Sequence, residues 1–207
     1  MVSGPFFYPI VDIETCTQYG HDPVAVSRAC LRGGARWLQL RGKTISGTDL
    51  LMLTDAVVAA AREHAAVVIV NDRADIAAMA GASGVHVGQE DLAVDAVRGL
   101  LGPASLVGLS THDEAQVNEA LESSADYLAV GPIYGTATKE TGYSARGLDL
   151  VRYASGRGKP VVAIGGITLE RAAEVVAAGA AGIAVISDLL RGDPEQRTRQ
   201  FVDLVHV

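Results

Sequence analysis

Eight short apolar runs punctuate the chain: FFYPIV (6–11), WLQL (37–40), VVIV (67–70), GVHV (84–87), LVGL (106–109), YLAV (127–130), VVAI (161–164) and GIAVI (182–186). Each has the length and the β-branched or aromatic content of a buried parallel strand. Each is followed by a polar or glycine-containing loop, and then by a stretch rich in Ala, Leu and Val at helical spacing. The clearest of these are SGTDLLMLTDAVVAAAREH (46–64), DEAQVNEALESS (113–124) and TLERAAEVVAAG (168–179). Asp113 and Thr168 stand where N-caps belong, and Gly179 where a helix stops. Eight β-α alternations with no linker-like stretch predict a single (β/α)8 TIM barrel over residues 1–207, with an open doubly wound sheet as the alternative topology.

Length and charge narrow the picture. A chain of 207 residues with 49% apolar content can bury most of the surface of one domain, at the short end of the barrel range. A formal net charge of −7 with scattered basic residues argues against a nucleic-acid or anionic-membrane surface, so any bound anion has to be held locally. Cys16 and Cys30 form neither a disulfide framework nor a zinc motif and are expected as small apolar packers. The N-terminus has no basic segment before its apolar residues, and no run approaches the roughly 20 residues of a membrane span. A cytoplasmic protein acting on small molecules is expected; a homo-oligomer is one open alternative for its assembly.

In a barrel the residues that follow the strands gather on one face, where ligands bind. After the second run, QLRGK offers Gln39, Arg41 and Lys43: a planar guanidinium fork for phosphate and a mobile point charge, or else a solvated basic loop. After the third comes Asn71-Asp72-Arg73, and after the fourth Gln89-Glu90-Asp91. Neighbouring strands lie about 5 Å apart, so Asp72 and Asp91 are placed to face one ion. Carboxylates are hard oxygen ligands suited to Mg2+, which keeps waters and is completed by substrate phosphates. Helix capping is the competing role for both. STHDE follows the fifth run, giving Ser110 as a phosphate-binding hydroxyl and His112 as a proton-transfer candidate. The longest excursion, GPIYGTATKETGYSARG, carries Thr136, Thr138 and Lys139, an anion-binding composition. GGIT (165–168) and ISD (186–188) lead into helices and suit a phosphate held by backbone N–H groups, although tight turning alone also accounts for Gly165 and Gly166. The sum predicts a monophosphate site at the last two loops and, opposite, a metal-assisted site with Arg41, Lys43, Asn71, Ser110 and Lys139. Two phosphorylated substrates follow, one carrying a metal-bound diphosphate that leaves as carbon is attacked.

In this order QLRGK, VNDRADIA, GVHVGQEDL, GLSTH, VGPIYGTATK and PVVAIGGIT followed by GIAVIS resemble the thiamine-phosphate synthase family, through nearly the whole chain. The resemblance implies a transferase of thiamine biosynthesis. It would join hydroxymethylpyrimidine diphosphate to hydroxyethylthiazole phosphate by dissociative substitution, releasing diphosphate. It further implies Mg2+ on Asp72 and Asp91, and diphosphate on Arg41, Lys43, Asn71, Ser110 and Lys139. Lys139, Ser110 and Arg41 would carry the catalysis. Gln39 would lie near the pyrimidine and Thr136 and Thr138 on the thiazole side; Gly166, Ile186 and Ser187 would hold the thiazole phosphate. Gly42 and Ala137 depart from the family, which often has an acidic residue and a proline there; neither change removes a charge. The segment GYSARGL (142–148) and His112 also resemble the related thiazole tautomerases, which share the barrel but isomerise the thiazole. A synthase needs Asp72, Asp91 and Lys139 and a tautomerase does not, which favours the synthase; a non-catalytic phosphate-binding barrel is the third reading. No chemical role is derived for His86, which is expected as a hydrogen-bonded core histidine.

Overall fold

Alternation inside each strand run decides which residues meet which. In the computed structural model, which describes residues 4–135 and 143–206, Leu38 and Leu40, Val68 and Val70, Val85 and Val87, and Leu128 and Val130 all join one large cluster with the helices. Their odd-even partners, among them Tyr8, Trp37, Ile69, Tyr127, Val162 and Ala184, form a second, smaller cluster. Side chains that alternate across a strand reach opposite faces, so the first set fills the layer between sheet and helices and the second fills the barrel interior.

The strands are β1 (Phe6–Asp12), β2 (Trp37–Arg41), β3 (Val67–Asn71), β4 (Gly84–Val87), β5 (Leu106–Thr111), β6 (Tyr127–Val130), β7 (Val161–Ile164) and β8 (Gly182–Val185). They pair in parallel in sequence order, and β1 returns to β8 through Phe6↔Gly182 and Tyr8↔Ala184, closing the barrel. The open-sheet alternative is therefore set aside. The helices are α1 (Ile13–Gln18), α2 (Pro23–Arg32), α3 (Gly47–Arg62), α4 (Ala74–Ala80), α5 (Val94–Leu101), α6 (Glu114–Glu122), α7 (Gly147–Ala154), α8 (Leu169–Ala177) and α9 (Pro194–Val205), with a 3-10 turn at Ser187–Leu190. No helix among the described residues is long and apolar enough to cross a membrane.

Capping follows the local sequence in most places. Asp113 accepts from Gln116 N at 2.8 Å, as its position before α6 predicts. Gly179, with φ of 102°, follows the α8 C-cap Ala178 in the left-handed region that favours glycine. Thr168 holds the N-cap position of α8 but makes no side-chain cap. Asp188, arriving from the loop after β8, accepts from Leu169 N at 3.2 Å in its stead. Cys16 and Cys30 are buried, unpaired with each other, and burial pushes both thiols up to about 12, as fits apolar packers.

Candidate active site

The carboxyl ends of the strands open into a cavity of about 960 Å³, lined on one side by Asp12, Gln39, Arg41, Lys43, Asn71 and Ser110 and on the other by Gly165, Gly166, Ile186 and Ser187. That places Gln39, Arg41, Lys43, Asn71, Ser110, Gly166, Ile186 and Ser187 around one space, as their post-strand positions predict. Thr136, Thr138 and Lys139 lie outside the described residues.

Arg41 does not project alone. Its Nη1 donates to Oδ2 of Asp12, while Oδ1 of the same carboxylate accepts from Thr15 N at 2.8 Å and Thr15 Oγ at 2.5 Å at the start of α1. Asp12 is 3% exposed, so the pair holds the guanidinium in one orientation with charge assistance. Arg41 Nε is buried with no acceptor among the described residues. Lys43 is fixed by Glu14, whose Oε1 accepts from Lys43 N and Thr44 N at 2.7 Å each and from Thr44 Oγ at 3.0 Å. Gly42 lies between, where an added Cβ would fall 2.6 Å from Ile45 Cγ2 and 2.8 Å from Ile13 Cδ1.

Asp72 and Asp91 meet. Their carboxyls are in hydrogen-bond contact, and Lys43 Nζ donates to Asp72 Oδ2. Burial, opposed by Lys43 and reinforced by Asp91, holds the Asp72 carboxyl above its ordinary range. Neither residue caps a helix: α4 begins after Arg73 and α5 after Ala93, both without a side-chain cap. Asp72 instead adopts φ of 60°, a left-handed conformation that Asp tolerates at some cost, while its N–H is tied to His86 O at 2.7 Å. Asp91 Oδ2 accepts from Gly88 N at 2.8 Å. Asp72 stands one contact behind the lining, on Lys43 and next to Asn71, and Asp91 stands against Asp72. No group of three or more metal-binding side chains occurs among the described residues.

The opposite side is built from backbone. Gly165 (φ 102°) and Gly166 (φ 62°) turn sharply, and a Cβ at Gly166 would lie 2.6 Å from Gly135 O. Their conformations and their packing on Pro132 and Tyr134 already require glycine, so the residue type by itself does not report a ligand. Asp188 braces this side: its Oδ2 accepts from Arg197 Nε and Nη2 at 3.0 and 2.6 Å as well as from Leu169 N.

A sequence profile described as thiamine monophosphate synthase matches residues 7–189. A thiamine-phosphate synthase of Chlorobium luteolum is 41% identical over 205 residues, covering 98% of this chain and 94% of that protein. The chain belongs to the thiamine monophosphate synthase family. Another relative so described, from Mycolicibacterium smegmatis, is 44% identical over 176 residues, covering 80% of this chain and 77% of its own. Among solved structures, a thiamine phosphate pyrophosphorylase from Pyrococcus furiosus superposes with a TM-score of 0.88 at 30% identity, covering 97% of this chain and 95% of that one.

Beside the residues that identify this family member, sequence reasoning passed over Asp12, Glu14, Tyr8 and Tyr127. Asp12 closes the first apolar run, and reading the first strand's loop as the other seven were read would have found it. His86, expected as a core histidine, does lie in the barrel: its Nδ1 is 3.1 Å from Tyr127 Oη and its Nε2 is 2.9 Å from Ser110 Oγ. His112 lines the cavity, its Nδ1 2.5 Å from Gly131 O and its ring stacked on Tyr143 at 4.1 Å between centroids.

Proposed function

We propose that the chain couples hydroxymethylpyrimidine diphosphate to hydroxyethylthiazole phosphate, giving thiamine monophosphate and diphosphate. The observation that carries this reading is one cavity bordered by a basic, carboxylate-backed wall and, across from it, a glycine-turn wall, in a chain of the thiamine monophosphate synthase family. In the reaction the bond from the pyrimidine methylene carbon to the diphosphate oxygen breaks with its electron pair leaving on oxygen. The thiazole nitrogen then donates its lone pair to that carbon. Arg41, Lys43, Asn71, Ser110 and Lys139 hold the diphosphate and oppose the charge that grows on it, Gln39 faces the pyrimidine, and Thr136 and Thr138 border the thiazole. Gly166, Ile186 and Ser187 receive the thiazole phosphate through backbone N–H groups. Asp72 and Asp91 would hold Mg2+, which when bound would supply positive charge to the leaving diphosphate. Asp12 orients Arg41 for this task.

A thiazole tautomerase is the second reading, favoured by His112 lying in the cavity with its ring fixed at Gly131 O and Tyr143. Incubation of the protein with both substrates and Mg2+ separates the two readings. Thiamine monophosphate is expected; aromatised thiazole from the tautomer alone, with no coupling, would overturn the synthase reading. Asp72→Asn and Asp91→Asn are each expected to raise the Mg2+ concentration for half-maximal rate by roughly tenfold or more. Unchanged Mg2+ titrations in both would remove the shared-ion assignment.

A further inference from the structure

Five side chains cross the barrel beneath the cavity as one continuous hydrogen-bonded row. Gln39 Nε2 donates to Tyr8 Oη at 3.0 Å, Tyr8 Oη lies 3.0 Å from Tyr127 Oη, Tyr127 Oη lies 3.1 Å from His86 Nδ1, and His86 Nε2 lies 2.9 Å from Ser110 Oγ. All five are buried, Ser110 at 7% exposure and the others no more open than that. Burial first of all drives both phenols well above their ordinary value, so each keeps its proton and has one to give. The amide N–H of Gln39 can only donate, while either phenol can be the donor across the Tyr8–Tyr127 contact. When every contact is filled in one sense from Gln39, Tyr8 donates to Tyr127 and Tyr127 to His86 Nδ1. With Nδ1 accepting, a neutral His86 carries its proton on Nε2 and donates it to Ser110 Oγ.

The row is accommodated by a specific absence of side chain. His86 on β4 and Tyr127 on β6 are both in register with Gly108 on the strand between them. A Cβ at Gly108 would fall 2.4 Å from His86 Nδ1, 2.4 Å from Tyr127 Oη and 2.1 Å from Tyr127 Cζ. Glycine weakens a strand interior, and here it leaves the gap through which the histidine and tyrosine join.

We infer that Tyr127 and His86 are positioning residues that turn the Ser110 hydroxyl proton into the cavity, making Ser110 a donor to an anionic oxygen of the substrate. Because His86 Nε2–H occupies a lone pair of Ser110 Oγ, the serine's own proton has to go elsewhere, and the side chain lines the cavity. This inference rests on the proposed coupling reaction, in which that oxygen belongs to the departing diphosphate. No proton leaves the row: each group keeps its own and the effect is one of orientation.

The test uses the whole enzyme. Tyr127→Phe keeps the ring and removes the hydroxyl that links Tyr8 to His86, so kcat should fall about tenfold while KM for the thiazole phosphate stays unchanged. In a Ser110→Ala background the same substitution should cost less than about twofold, since the group it acts through is gone. His86→Gln, which can still present an N–H to Ser110, should retain more activity than His86→Leu, and nitrogen NMR of the wild type should find the His86 proton on Nε2. A proton on Nδ1 would overturn the inference. So would a Tyr127→Phe penalty of equal size with and without Ser110, which marks a merely structural role. Should wild type fail to couple the substrates at all, the proposed reaction falls, whereas the NMR result still decides the direction of the row.

Discussion

Glu14 is a case in which one side chain sets the shape of a functional loop. Partial burial pushes its carboxyl up, but the backbone and hydroxyl bonds from Thr44 and the N–H of Lys43 outweigh burial and leave it below its ordinary value. A carboxylate depressed in the folded state stabilises the fold above its unfolded pKa, and that contribution is lost as pH falls through the folded value. Glu14→Gln should therefore be less stable than wild type at pH 7, by about 1 kcal/mol after allowing for solvent screening. The difference should close below the ordinary carboxylate value of 4.5 and vanish once the wild-type carboxyl is protonated. Urea unfolding of both proteins at neutral and acid pH measures it; a gap that persists in acid would show that shape, and not charge, is what Glu14 supplies. The same logic makes Asp12 the counterpart of Arg41, a carboxylate that aims a cation without being part of the cavity's basic charge.

At the scale of elements, the loop after β7 is where conformation and site coincide. Gly166→Val places a β-branched side chain at φ of 62°, with its Cβ 2.6 Å from Gly135 O and 2.8 Å from Tyr134 Cβ. The backbone has to shift, at a cost of about 1–3 kcal/mol, and the disturbance stays on the glycine-turn side. KM for the thiazole phosphate should rise more than KM for the pyrimidine diphosphate. Equal increases would mean that the whole barrel mouth had moved, and would count against two separate substrate walls. The strands themselves were legible because buried parallel strands are short, continuous apolar runs; β4, β6 and β7 begin and end where their runs do. β1, β2, β3 and β5 run on into polar residues, and those extensions are Asp12, Arg41, Asn71 and Ser110-Thr111. Site residues thus belong to the strands more than a reading of loops suggests. Pairing was legible in part: QLRGK announces Arg41 but not that Asp12 takes it, whereas the neighbouring strand ends in VNDR and GQED did place Asp72 and Asp91 face to face. A period-two reading of GVHV would have turned His86 inward between Val85 and Val87, yet its partners Tyr127 and Ser110 come from other strands, and only barrel closure brings them together.

For the whole molecule, the decisive feature is the seam where the last strand meets the first, because every site residue is positioned relative to a closed ring. Helix α9 covers that seam: Phe201, fully buried, stacks on Phe7 of β1 with ring centroids 4.5 Å apart and 3° between planes, while Arg197 of the same helix holds Asp188 beside the glycine-turn wall. Packing of the C-terminal helix and geometry of the site are in this way one structure. Phe201→Ala removes a large buried ring and should cost about 3–5 kcal/mol, a large share of the roughly 5–15 kcal/mol by which a domain is stable. Trp37, the sole tryptophan, sits inside the barrel between Phe6 and Tyr127, with centroids at 4.8 and 5.6 Å, so its fluorescence reports the interior while circular dichroism reports the helices. If closure is cooperative, urea should unfold the variant at a lower midpoint with both signals moving together. A tryptophan signal that stayed at the wild-type midpoint while the helical signal fell early would show that α9 can leave without opening the ring, and that the barrel holds its site without the helix that covers its seam.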